Sequence, residues 1–96
     1  MPYIKPEDRP ELDNLIDQLT DSILATEDGW EGNMNYSISR LTNNIVQRRG
    51  KSYRLFNAIV GVIECVKMEV YRRLVVPYEL RKSYINGDVF GTLDED

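Results

Sequence analysis

Apolar residues recur with helical spacing along the first quarter of the chain. Leu12, Leu15, Ile16, Leu19 and Ile23 stand at i, i+3, i+4, i+7 and i+11, the stripe of an amphipathic helix, and predict a helix over about 10–25. Pro10 suits its first turn, and Glu11 and Asp13 sit where the helix dipole favours acids. Two glycines in Thr26-Glu27-Asp28-Gly29-Trp30-Glu31-Gly32 then interrupt the pattern. The period resumes at Met34, Ile38, Leu41 and Ile45. This predicts a second helix over 33–49, capped by Asn33 or Asn35 and closed by Arg48, Arg49 and Gly50.

Ser52 starts a third helix expected to run over 52–76, on the order of 35 Å long at 1.5 Å per residue, before Pro77 disturbs it. A short helical turn over 77–84 follows, closed by Asn86-Gly87, and an acidic tail covers 88–96. The fold class read from this pattern is all-α: a small three- to four-helix bundle in a single domain over 1–96, with a long C-terminal helix.

The third helix is apolar beyond the needs of one packing stripe. Leu55, Ile59, Val62, Ile63, Val66 and Val70 make a core face, yet Ala58, Val60, Gly61 and Cys65 extend the apolar surface nearly all the way round, broken only by Glu64. A second copy of the chain is the expected cover, giving a homo-oligomer through this helix with Gly61 allowing close approach. The alternative is a monomer in which Tyr3, Ile4, Val89 and Phe90 shield the same surface. Glu64 shares a polar line with Tyr53, Asn57 and Tyr71. If buried it needs Arg40, Arg54 or Lys67 as a partner, and the line reads either as an interface hydrogen-bond row or as the frame of a pocket at a subunit boundary. Cys65 reads as a small core residue.

Composition narrows the chemistry. The chain has no histidine and one cysteine, which removes Ser-His and Cys-His nucleophile pairs, imidazole acid–base catalysis and His-ligated zinc. The paired carboxylate motifs of all-α nucleotide pyrophosphohydrolases are missing, and Gly50-Lys51-Ser52 lacks the upstream glycine and strand of a phosphate-binding loop. An enzyme is therefore not expected, nor is a metal or cofactor. The lone cysteine, the lack of a secretory leader and the lack of a bilayer-spanning apolar run point to the cytoplasm, away from membranes.

Charge is segregated. Residues 1–32 carry nine acids and two bases, residues 33–82 ten bases and three acids, and residues 83–96 four acids. One reading is an acidic helix screening a basic one; the other is a basic segment left open for an anion. Arg48, Arg49, Lys51 and Arg54 surround Gly50 and Tyr53 at the start of the third helix, where unpaired N–H groups favour phosphate. Tyr71 and Arg72 form part of a second basic and aromatic group. The candidate ligand site is thus Arg48, Arg49, Lys51, Arg54 and Arg72 for phosphates, Tyr53 and Tyr71 for stacking, and Asn57 and Glu64 for polar edges. The acidic flanks argue against duplex DNA.

Met1-Pro2-Tyr3-Ile4, Arg9, Leu12, Asn35-Tyr36 and Arg40-Leu41 resemble a family of small uncharacterised proteins common in phages and prokaryotic genomes. So do Gly61-Val62-Ile63-Glu64-Cys65-Val66-Lys67, Tyr71-Arg72-Arg73, Pro77-Tyr78-Glu79, Lys82 and Asn86-Gly87-Asp88-Val89. The resemblance implies a short helical protein with no recognised enzymatic activity. The chain is also similar in size and presumed helicity to small oligomeric phage proteins that sequester immune nucleotide signals. The function expected is a non-enzymatic oligomer binding a small anionic, cyclic-nucleotide-type ligand in the host cytoplasm. The alternative is an adaptor that binds another protein through its third helix.

Overall fold

A computed structural model describes residues 2–91. Every regular element among them is helical: a 3₁₀ turn at Pro6–Asp8, α1 at Pro10–Ile23, α2 at Trp30–Arg49, α3 at Tyr53–Val70, a π turn at Tyr71–Val75 and α4 at Val76–Asn86. From Tyr53 to Asn86 the chain is one helical run of 34 residues. The tail acids Asp94, Glu95 and Asp96 lie outside the described residues.

Each expected helix is present, and where a boundary moves the reason is local. α1 ends at Ile23 rather than near Ala25, because Leu24 leaves helical geometry at φ −90° and ψ 4° while its N–H still donates to the Thr20 carbonyl at 3.0 Å. α2 starts at Trp30, three residues before the expected Asn33. Gly29 takes φ 85°, a left-handed turn open to glycine, and its carbonyl accepts the Asn33 N–H at 3.1 Å. Neither Asn33 nor Asn35 is the cap. At the far end Gly50, at φ 87° and ψ 139°, terminates α2 as expected. Ser52 caps α3 as expected, its Oγ accepting the Leu55 N–H at 3.0 Å.

Pro77 does not stop the third helix, and the segment expected as a short turn over 77–84 is instead α4, 11 residues long. Proline lacks an N–H and its ring crowds the carbonyl four residues back. The preceding π turn widens the helix here, with the Val76 N–H reaching five residues back to the Tyr71 carbonyl. The helix therefore survives its proline by changing register just before it. Gly87 then closes α4, its N–H donating to the Ser83 carbonyl at 3.0 Å.

The chain divides into two compact units, Met1–Val60 and Gly61–Asp96. In the first, α1 meets α2 near their connecting loop, where the Asn33 Nδ2 donates to the Ile23 carbonyl at 3.1 Å. Leu19, Ser22 and Ile23 line one wall of a hollow of about 230 Å³ there, and Asn33, Tyr36 and Ser37 line the other. Ahead of α1, the Arg9 guanidinium holds the Ile4 carbonyl through two N–H groups, at 2.9 and 2.7 Å. In the second unit, Asp88 Oδ1 accepts the Phe90 N–H at 3.0 Å. Val89 and Phe90 thereby join Tyr71, Val76, Leu80 and Ser83 around a groove of about 600 Å³.

Almost nothing is buried. Among the described residues Val46 is the one buried side chain, with 9% of its surface exposed. Leu12, Leu15, Ile16 and Leu19 on α1 and Met34, Ile38, Leu41 and Ile45 on α2 are all exposed. So are the α3 residues Val62, Ile63, Val66 and Val70. Amphipathic faces are formed without being covered. Cys65, expected in a core, is exposed.

Candidate functional site

The loop between α2 and α3 gathers most of the expected ligand-binding residues. Arg48 and Arg49 occupy the last turn of α2, Lys51 lies beside Gly50 in the loop, and Tyr53 and Arg54 begin α3, with Asn57 one turn on from Tyr53. Gly50 makes the corner sharp, since its φ of 87° lets the chain leave α2 and enter α3 within three residues. The Ser52 hydroxyl takes the Leu55 N–H and the Ser52 carbonyl takes the Phe56 N–H, at 3.0 and 3.1 Å. The Tyr53 and Arg54 N–H groups are left at the open end of the helix.

The electrostatics of this corner are one-sided. Among the described residues, the ion pairs of Glu64 with Lys67 and of Glu69 with Arg72 both lie beyond it. Arg48, Arg49, Lys51 and Arg54 have none, and no acid of α1 is paired with a base of α2. The expected screening of a basic helix by an acidic neighbour is not made within this unit. Tyr53, next to Arg54 in sequence, is 82% exposed.

The remaining expected residues fall in the second unit. Glu64 is paired with Lys67 at 2.9 Å in an exposed i, i+3 contact, so of the three candidate partners Lys67 is the one that takes it. Arg72 bonds Glu69, which occupies its guanidinium with a carboxylate. The exposed Glu64–Lys67 pair contributes about 0–1 kcal/mol. Tyr71 lines the groove of about 600 Å³ rather than standing alone. Nearby, the Lys82 Nζ lies 5.6 Å from the centre of the Tyr78 ring, a cation–π contact.

Two features escaped the residue pattern. Asn33 reads as a helix cap, yet its amide ties the end of α1 to α2. The groove under Phe90 has only a weak signal, the apolar pair Val89-Phe90 after Asn86-Gly87-Asp88. No set of three or more ligating side chains able to hold a metal ion occurs among the described residues, and no helix is long and apolar enough to cross a membrane. The surface around Val60 is open, with 65% of that residue exposed. Nothing lies within 4 Å of where a Gly61 Cβ would stand. Tyr3, Ile4, Val89 and Phe90 are themselves exposed.

The chain belongs to the family described as Domain of unknown function (DUF6899), whose sequence model matches residues 1–89. No curated protein and no solved structure matches it.

Proposed function

We propose that this member of an uncharacterised family is a non-enzymatic, homo-oligomeric binding protein for a small anion of the cyclic-nucleotide type. The observation that carries the reading is the α2–α3 corner, where Arg48, Arg49, Lys51 and Arg54 fall within seven residues of sequence that include the exposed Tyr53, with no carboxylate paired to any of them among the described residues. Arginine forks and an ammonium suit phosphate oxygens, and a tyrosine ring stacks on a base. Asn57, one turn on, supplies a polar edge, and the apolar surface of α3 builds the oligomer. In a phage this chemistry fits sequestration of a host immune signal in the host cytoplasm, since capture needs slow release rather than a nucleophile or a general base.

Calorimetry with cyclic di- and trinucleotides tests the proposal. Binding that weakens on raising salt supports it; neither heat nor a thermal shift at millimolar ligand overturns it. The open apolar faces of all three helical segments favour a second reading, an adaptor that receives another protein. Light scattering separates the two, because a closed oligomer has no free apolar face to offer.

A further inference from the structure

We propose that a second copy of this chain covers the apolar faces of α1 and α2, with the acidic start of α1 in one copy set against Arg48 and Arg49 of the other. Exposure makes the first argument. Leu12, Leu15, Ile16 and Leu19 on α1 and Met34, Ile38, Leu41 and Ile45 on α2 are all exposed, Leu15 and Leu41 by 55% and 56%, so each helix keeps an exposed apolar stripe of the kind that marks an interaction surface.

Charge makes the second argument and selects the occupant. On α2, Arg48 and Arg49 continue the helical line of Leu41 and Ile45; ahead of Leu12 and Leu15 stand Glu11, in the first turn of α1, and Asp8, in the 3₁₀ turn before it, while the Arg9 guanidinium between them is turned onto the Ile4 carbonyl. The α1 face thus begins beside acids and the α2 face ends in bases, and among the described residues none of Asp8, Glu11, Arg48 and Arg49 is ion-paired. A two-fold axis brings each end against its complement twice, as an isologous interface requires. An unrelated partner has no reason to carry the same pattern reversed. Arg48 and Arg49 then serve the pairing as well as the anion, while Lys51, Arg54 and Tyr53 serve the anion alone.

The proposal rests on the homo-oligomeric reading above, but its charge-swap test needs no ligand, so failure of the swap leaves that reading standing. Light scattering of the full chain at low salt is expected to give a dimer or a multiple of it; a monomer at tens of micromolar overturns the proposal. Asp8→Lys/Glu11→Lys in one chain and Arg48→Glu/Arg49→Glu in another are expected each to weaken self-association about tenfold or more. An equal mixture of the two restores it, since the swapped charges complement each other only between chains. Helicity by circular dichroism confirms that both variants fold. Variants that associate as tightly as the parent, or a mixture that stays dissociated, overturn the assignment.

Discussion

The Asn33 side-chain amide donates to the Ile23 main-chain carbonyl at 3.1 Å, ten residues back along the chain. That carbonyl belongs to the last residue of α1, one of the final four with no partner inside their own helix. A residue of α2 thus closes α1, and the bond sits where the two helices meet. Asn33→Ala leaves the carbonyl to solvent and is expected to cost about 1 kcal/mol, read as a lower thermal midpoint with helicity retained.

The α2–α3 corner rests on two local devices. Gly50 holds φ 87° and ψ 139°, a region that a side chain enters at a cost of about 1–3 kcal/mol, and Ser52 accepts the Leu55 N–H. Gly50→Ala and Ser52→Ala are both expected to destabilise, the second by about 1 kcal/mol. Chemical denaturation measures both. Gly50→Ala is also expected to weaken anion binding, because it moves the two arginines before the corner relative to Tyr53 and Arg54.

The π turn before Pro77 predicts a gain on removing the proline. In Pro77→Ala the N–H returns and the ring no longer presses on the carbonyl at position 73. The helix is then free to take regular i to i−4 bonding through 71–76. Stability is expected to rise by as much as about 3 kcal/mol, and hydrogen exchange at Val76, now bonded five residues back to Tyr71, is expected to slow. An unchanged midpoint and unchanged exchange would show that Pro77 does not cause the π turn.

Reversing charge at the corner separates ligand binding from assembly. Lys51→Glu/Arg54→Glu is expected to reduce cyclic-nucleotide affinity by at least about tenfold, in line with the worth of hydrogen bonds between ionised partners. The assembly mass should not change. Calorimetry and light scattering on the same sample check the two halves of this statement.

Local physics made much of the molecule readable in advance. The stripe from Leu12 to Ile23, the Gly50 stop and the Ser52 cap each depend on residues within a turn or two of one another, and all three appear in the structure. The same reasoning missed Gly29, because a left-handed glycine and an asparagine cap are both short-range starts and nothing in spacing ranks them. Among the site residues, Arg48, Arg49, Lys51, Tyr53, Arg54 and Asn57 fall together because they are neighbours in sequence. Lys67 was legible as one of three candidate partners of Glu64, whereas the engagement of Arg72 by Glu69 was not.

Helix identity and the basic corner therefore follow from the order of residues, since hydrogen bonds and capping act over three to five positions. The fate of Pro77, the tie from Asn33 to Ile23 and the open state of the apolar faces were decided only in three dimensions. A kink or its avoidance depends on how a whole turn rearranges, and burial depends on what lies opposite a face, a quantity that no window along one chain contains.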